Sequence, residues 1–269
     1  MKNINLIIFF LISLFIFSCD DVEVINPETT YKEYIVVRGE LKSLSSFDGV
    51  AFTKTLPISE AYDTNKAYIK SAIAYLKIDG LKIIPLHYYA KGYYKPNEYI
   101  TIFPGQTYEL FATVDNTSIY ATTKIPENPK VVSALYANNH IDADVKSNPS
   151  EVYGAVWMLI DPGNSNVLDM ASDFLSIVNS QYEYSLFSTP VRTMDMPETY
   201  SSSSYKDYRY LEVYAFDAPY LEYFNTKGNN DPVSNAFVQG GDQIVWNVKG
   251  NKVIGLFIGV SEGNRIKVN

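Results

Sequence analysis

Few side chains in this chain could carry out chemistry: it has one cysteine, Cys19, and two histidines, His87 and His140. A nucleophilic triad needs a nucleophile, a base within hydrogen-bonding distance and a third group that orients the base. His87 follows an apolar run and precedes Tyr88 and Tyr89, which favours a packed or rim histidine over a catalytic one. The sequence also has no H-E-x-x-H helix and no phosphate-binding P-loop. We therefore predict a protein that is not an enzyme, has no catalytic residue and carries no cofactor.

The second histidine lies in the motif HIDAD, residues 140–144, inside an Asn- and Asp-rich stretch that we predict to be a loop over 138–150. On an extended backbone His140, Asp142 and Asp144 would share one face and could hold a divalent cation. Three ligands in a polar loop are weak evidence, so we assign no metal ligands and leave cation binding by HIDAD open. The DPGNSN stretch further on also offers oxygen ligands, but it lacks the bidentate glutamate of an EF-hand and is interpreted as a turn.

Tyrosine is the strongest compositional signal, with 23 residues in a chain of 269. Its ring fits the half-buried surface of a strand, and it also offers a flat face with a polar tip for recognition. Four tyrosines surround Lys91 and Gly92 near one hairpin end, where exposed rings could stack on a sugar or contact a peptide or protein. These candidate ligand-binding residues are Tyr88, Tyr89, Tyr93 and Tyr94. The alternative is ordinary strand packing, in which half of these rings are buried.

Cys19 follows an N-terminal segment that is typical of a secretory signal, because residues 6–17 are almost entirely apolar. As a helix they would span about 18 Å, well short of the ~30 Å hydrocarbon core, so we expect a cleaved signal over 1–18 rather than a membrane span. Residues 16–19, Ile-Phe-Ser-Cys, resemble the lipobox of bacterial lipoproteins, although Phe17 is bulkier than the usual residue. That resemblance implies that Cys19 becomes the N-terminus and is acylated on its sulfur and its amine. The alternative is an ordinary free thiol, which would be unusual in an exported protein with no partner cysteine.

Three acidic residues, Asp20, Asp21 and Glu23, follow the cysteine at once. They resemble the signal that Bacteroidetes lipoproteins carry for transfer to the outer leaflet of the outer membrane. The alternative is a solvated acidic tether, and either interpretation makes residues 19–30 a linker. We therefore expect an outer-membrane protein, lipid-anchored and exposed at the cell surface.

The net charge of the chain restricts the binding partners that can be expected. The formal net charge is −8, and no basic run longer than two residues occurs, which argues against nucleic acid and anionic lipid. The apolar fraction of 46% is enough for packed cores, so disorder is not expected.

Short runs in which apolar and polar residues alternate, separated by turn signals, predict a first β unit over residues 31–126. Residues 34–42 form its first clear strand, and Asp79-Gly80 is the strongest hairpin signal because both central positions of a type I′ turn need φ > 0. The other predicted strands are 67–78, 81–89, 99–103 and 108–114, the last two joined by a turn at Pro104-Gly105, and 120–125.

A second β-rich unit is predicted over residues 127–269, after a joint between Pro126 and Pro129. Its hydrophobic strand is predicted at 152–160. Apolar residues then recur about every 3.6 positions, which predicts a short helix over 167–178. Asp217 and Pro219 predict the start of a second helix, whose core face would carry Tyr220, Tyr223 and Phe224. The other predicted strands are 130–136, 182–187, 209–215, a buried hairpin of 244–248 with 253–260, and an edge strand at 265–268.

Together these motifs resemble an uncharacterised family of Bacteroidetes outer-membrane lipoproteins that are often encoded beside TonB-dependent receptors. The motifs that carry the resemblance are the lipobox, IVVRGEL at 35–41, GYY at 92–94, PGQTYELFATV at 104–114, YATTKIP at 120–126 and VWNVKGNKVIGLFIGVS at 245–261. The resemblance implies an all-β protein, with an N-terminal immunoglobulin- or transthyretin-like β-sandwich followed by a second β-rich domain with one or two short helices. It implies no activity.

The expected function is therefore that of a surface-anchored, non-enzymatic lipoprotein that assists an outer-membrane, TonB-dependent transport system or binds its ligand. A glycan or a peptide is the expected ligand, and a TonB-dependent receptor is the expected protein partner. The alternative is a structural or adhesive surface protein that contacts proteins or glycans through exposed tyrosines.

Overall fold

The computed structural model describes residues 31–57, 63–180, 187–227 and 244–268. The strands are β1 (Ile35–Lys42), β2 (Val50–Lys54), β3 (Ile73–Ile78), β4 (Lys82–Ala90), β5 (Tyr93–Lys95), β6 (Thr107–Val114), β7 (Thr117–Lys124), β8 (Val131–Ala137), β9 (His140–Lys146), β10 (Glu151–Ile160), β11 (Val167–Met170), β12 (Val178–Asn179), β13 (Ser188–Arg192), β14 (Arg209–Asp217), β15 (Val253–Glu262) and β16 (Ile266–Lys267). The helices are α1 (Thr64–Ala67), α2 (Glu198–Ser201), α3 (Pro219–Lys227) and a 3-10 helix (Ser203–Tyr208). The predicted all-β class with a few short helices is confirmed.

Most strands belong to one 13-stranded sheet, whose order is β11-β10-β14-β15-β1-β2-β5-β4-β3-β6-β7. β12 also pairs with β10, and β16 pairs with β14. The pair of β1 with β15 is parallel, with Ile35 opposite Val253 and Lys42 opposite Val260, and its neighbours in the sheet are antiparallel. A strand from the start of the described chain is thus joined directly to one from its end.

The large sheet folds over on itself at β4. The first half of β4 pairs with β3, whereas its last residues pair with β5 across a bulge between Tyr88 and Ala90. One buried cluster therefore lies between two layers, β1, β2 and β15 in one layer and β3, β6 and β7 in the other. It includes Val37, Phe52, Leu110 and Phe257, all of which are fully buried.

A second core forms where the three-stranded sheet β13-β9-β8 packs against β10 and β14. Ile141 and Val145 of β9 meet Tyr153 of β10 and Val213 of β14 there. The other face of the β10 and β14 layer is covered by aromatic and aliphatic side chains of α3 and of residues 174–177. Every residue of β10 is buried because the strand lies between these two coverings.

Several predicted elements are confirmed. The strand patterns at 34–42, 130–136, 152–160 and 209–215 correspond to β1, β8, β10 and β14, and the predicted helix at Pro219 is α3. Asp79 and Gly80 both have positive φ, 49° and 70°, and they turn β3 into β4 as predicted. These signals are local, so the sequence window that contains them also contains their cause.

Other elements differ from prediction. Residues 99–103 do not pair with β6: the Leu44 N–H donates to the Ile102 carbonyl and the Phe47 N–H to the Ile100 carbonyl, so this segment pairs with the 44–47 loop. The predicted helix at 167–178 is wrong, because Val167–Met170 is β11 and pairs with the end of β10. The predicted loop at 138–150 contains β9. Most of the strand predicted at 182–187 lies outside the described residues.

Hydrogen bonds hold the backbone in place on both sides of the predicted joint near residue 126. The Glu127 N–H donates to Glu151 Oε1 at 2.8 Å, and the Ser261 hydroxyl donates to the Pro126 carbonyl at 2.6 Å. Asp217 accepts hydrogen bonds from the Thr123 hydroxyl and the Lys124 N–H, and burial raises the pKa of its carboxyl.

The described residues from Glu33 onward form one compact unit. The division into domains at 126 and the immunoglobulin- or transthyretin-like classification stay predictions.

Candidate ligand-binding groove

The outer face of the parallel β1–β15 pair forms the floor of a groove with a volume of about 680 Å³. Side chains alternate along a strand, so Val37 and Leu41 enter the core while Val36, Arg38 and Glu40 line the groove. Leu256 and Ile258 supply the apolar part of the floor from β15. Near the floor, Gly255 has φ 144°, and a Cβ there would lie 2.0 Å from the Val37 carbonyl oxygen, so the two strands approach as only glycine allows.

Three aromatic rings also line the groove. Tyr93 belongs to β5, next to β2 in the sheet, whereas Tyr223 belongs to α3 and Trp246 to the segment that leads into β15. The Tyr223 and Trp246 rings are 5.5 Å apart and inclined by 38°. The Asn247 side chain donates to the Phe257 carbonyl and accepts from the Phe257 N–H, which fixes the backbone beside Trp246.

Three charged side chains lining the groove have unused hydrogen-bonding capacity. Arg38, Glu40 and Asp48 are exposed and make no ion pair or side-chain hydrogen bond among the described residues. Lys42, by contrast, is paired with Glu262 at 2.6 Å. An apolar floor with aromatic rings and a few unpaired polar groups is the usual composition of a small-ligand site. The arrangement suits a ligand with apolar ring faces and hydroxyl or amide groups.

The four predicted tyrosines are divided between the core and the surface. Tyr93, Tyr88 and Tyr89 are exposed, and of these only Tyr93 lines the groove. Tyr89 lies under the Lys95 ammonium at 5.0 Å from the ring centroid, and Tyr88 packs edge-on against Tyr94. Ligand binding by the three exposed rings stays a prediction.

Tyr94 requires a correction. It is 1% exposed and packs edge-to-face on Phe52 in the core, so its ring is not part of an exposed patch. Its hydroxyl accepts from the Ala72 N–H at 2.9 Å and donates to the Ile69 carbonyl at 3.2 Å. The residue holds the 69–72 segment in place, and burial raises the pKa of its hydroxyl.

The HIDAD motif behaves as the alternation predicts, since Ile141 and Ala143 enter the core and the polar side chains share the other face. His140 contacts Asp142 through Nε2 at 3.2 Å, and the Asp142 carboxylate accepts from Arg192 Nε at 2.6 Å. The Arg192 hydrogen bond lowers the pKa of Asp142. Asp144 accepts from the Ser133 hydroxyl. No group of three or more His, Cys, Asp or Glu side chains in the described ranges is arranged to hold a metal ion.

Residues 259–263, Gly-Val-Ser-Glu-Gly, match the G-x-S-x-G pattern of a serine nucleophile. That chemistry needs an exposed serine on a sharp turn between a strand and a helix, next to a base. Ser261 is instead fully buried within β15 and donates to the Pro126 carbonyl. It therefore has a structural role.

The groove residues that the sequence did not reveal are Arg38, Tyr223 and Trp246. The Tyr223 ring was expected on the core face of α3 and Trp246 in a buried hairpin, but the residues 244–248 do not form a strand. Tyr220 and Phe224 of the same helix do pack inward, and burial raises the pKa of Tyr220 to about 12. The predicted anchor residues Cys19, Asp20, Asp21 and Glu23 lie outside the described residues.

The described fold and site define an all-β protein with an aromatic-lined groove. Comparison with protein-family models and with curated protein sequences finds no match to this chain. Within the described ranges, no helix has the length and apolar character that a membrane crossing requires.

Proposed function

We propose that this chain is a surface-anchored, non-enzymatic lipoprotein that binds an oligosaccharide in the groove on β1 and β15 and assists an outer-membrane, TonB-dependent transport system. The observation that carries the proposal is the groove itself, where Tyr93, Tyr223 and Trp246 share the lining with Arg38 and Glu40, two charged side chains that form no ion pair with any described residue. The resemblance of residues 16–23 to a lipoprotein signal supports the anchor on Cys19 and the position at the cell surface.

The position of the groove favours a glycan over an extended peptide. Peptides commonly bind a sheet by adding a strand to a free edge. β1 pairs with β15 along its whole length and with β2 from Ile35 to Arg38, so at most residues 39–42 could receive an added strand, which is too few for a peptide to bind mainly through its backbone. Recognition must then come from ring stacking and from side-chain hydrogen bonds, which suits a sugar with an apolar ring face and hydroxyl groups.

Two groove variants test the binding site. Tyr93→Ala and Trp246→Ala are each expected to weaken binding of the best oligosaccharide from a glycan array by about tenfold, since each removes a ring contact worth ~1.4 kcal/mol. Tyr99→Ala is the matched control, because Tyr99 is exposed, does not line the groove and is not one of the four predicted ligand-binding tyrosines. Titration calorimetry measures the affinities, and thermal unfolding checks that each variant is folded. An array without a binding glycan, or an equal loss with Tyr99→Ala, would refute the proposed site.

One observation favours the alternative of an adhesive surface protein. The outer face of the β3–β4 hairpin exposes three aliphatic side chains, Ile73 at 75%, Leu81 at 86% and Ile83 at 60%. Leu81 in the turn and Ile83 opposite Lys77 lie at the same end of the hairpin, and exposed apolar patches commonly mark protein contacts. This surface is separate from the groove, so the two functions can be distinguished.

A Cys19→Ala strain tests the anchor and separates the two functions. The variant is expected to leave the membrane fraction, to lose crosslinking to a TonB-dependent receptor and to impair uptake of the groove ligand. Asp20→Asn, Asp21→Asn and Glu23→Gln together form the control, since they keep the lipid and are expected to reduce only accessibility to external protease. Retention of Cys19→Ala in membranes would contradict the anchor. Lost cell attachment with unchanged uptake would favour adhesion instead.

A further inference from the structure

A second pocket, with a volume of about 540 Å³, lies beside the start of β1 and the end of β2. Lysines from three separate segments line it: Lys54 at the end of β2, Lys66 and Lys70 in and just after α1, and Lys252 directly before β15. The acidic residues that line it are Glu33 and Asp115. The sequence shows no basic run because the three segments are far apart in the chain, and the fold brings them to one pocket.

The pocket carries more positive than negative charge in a chain whose net charge is −8. Lys54 is paired with Glu33 at 3.0 Å. Lys70 and Lys252 are exposed, and across the described parts of the chain neither ammonium group has an ion-pair partner. Like charges held close together repel one another, so an anion bound between them would be stabilised.

The backbone around the unpaired lysines is held in position. The Ile69 N–H donates to the Phe52 carbonyl, and the buried Tyr94 hydroxyl bonds to the backbone on both sides of Lys70. On the other side of the pocket, the Ile35 N–H donates to the Lys252 carbonyl at 2.9 Å. The positive charges are therefore carried on fixed segments and not on loose loops.

We infer that this pocket binds a phosphate-bearing anion. Lysine binds phosphate as a compact point charge, and a phosphate group, with up to two negative charges and three or more acceptor oxygens, suits several ammonium donors that line one pocket. The Ser71 hydroxyl at the pocket offers a further donor to phosphate oxygens.

The source of the phosphate is either a soluble phosphorylated ligand or a lipid headgroup. Glu33, which lines the pocket, is 14 residues (33 − 19) after Cys19. Such a linker reaches at most about 50 Å when fully extended. Under the proposed anchoring, headgroups are thus within reach of the pocket, but phosphate binding itself requires neither the anchor nor the groove.

The test uses Cys19→Ala protein, without lipid, in low-salt buffer. Sodium pyrophosphate is titrated by calorimetry, and cosedimentation is measured with phosphatidylglycerol vesicles and with phosphatidylcholine vesicles. Lys70→Glu combined with Lys252→Glu is expected to weaken binding by at least about tenfold, and added salt should weaken wild-type binding. Lys130→Glu combined with Lys206→Glu is the control, since it makes the same charge change at exposed lysines outside the pocket.

Binding of pyrophosphate assigns a soluble phosphate ligand, and binding only to phosphatidylglycerol vesicles assigns a headgroup. Binding to neither probe would overturn the inference, as would equal losses in the pocket variant and its control. Intact oligosaccharide binding by the Lys70→Glu, Lys252→Glu protein is expected in every case, so failure of this inference leaves the groove proposal standing.

Discussion

Arg209 is a buried cation whose charge is balanced by backbone carbonyls. It is 4% exposed, and the Arg209 guanidinium has no carboxylate partner within the described ranges. Its Nη2 atom donates to the carbonyls of Tyr200, Ser201 and Ser202 at 2.7 to 3.1 Å. The guanidinium also lies 3.8 Å from the ring centroid of Tyr136 on β8. One side chain thus joins the end of α2 to both sheets of the second core.

Arg209→Met is expected to lower the free energy of unfolding by about 2–4 kcal/mol, because it leaves three carbonyls without their donor and removes the cation–π contact. Arg209→Lys should cost less, since an ammonium can still donate to carbonyls although it cannot stack on Tyr136. Arg192→Met is the control: Arg192 is 53% exposed and makes one ion pair, so its loss should cost less than about 1 kcal/mol. Urea denaturation monitored by circular dichroism measures all three. Equal stability of Arg209→Met and Arg192→Met would contradict the structural role.

At the scale of elements, the sequence predicts those strands and turns that are determined by residues close together in the chain. The alternation in β1 and the Asp79-Gly80 turn are visible because each signal is contained in fewer than about ten residues. The hairpin predicted at 244–248 with 253–260 is wrong: the strands paired with β15 are β1 and β14, which are distant in the chain, and residues 244–248 form no strand beside it. The Asn247 side chain makes the two hydrogen bonds to Phe257 that a neighbouring strand would make with its backbone.

The residues that line the groove could also be predicted only where they are close together in the chain. Tyr93 could be predicted as a recognition residue because tyrosines cluster in sequence around it. Trp246 and Arg38 could not be related to it, since they become neighbours only when the last long strand pairs with the first. Neighbouring tyrosines on a strand point to opposite faces of the sheet, but the sequence does not show which face is exposed to solvent. The fold decides this, and it places Tyr93 at the surface and Tyr94 in the core.

At the scale of the whole molecule, β15 closes the fold. It fills the position beside β1, and its Phe257 is fully buried in the same core as Phe52 and Leu110. The Gly259 N–H donates to the Thr123 hydroxyl, so β15 is also bonded to β7 on the facing layer. The first core is therefore completed by residues from the end of the chain, although the sequence pattern suggests a separate unit over 31–126.

This arrangement predicts that residues 31–126 do not fold alone. The fragment lacks β15, which leaves β1 with a free edge and the core without Phe257, whose loss alone should cost about 3–5 kcal/mol. Its heteronuclear NMR spectrum is expected to show poor dispersion, whereas residues 31–269 should give a dispersed spectrum and a single cooperative urea transition. Phe257→Ala in the longer protein is the matched point variant, and it should lower stability as seen by probes in both cores because they unfold together. A dispersed spectrum and a cooperative transition for the short fragment would show instead that the predicted domain at 31–126 is autonomous, with β15 added to its edge.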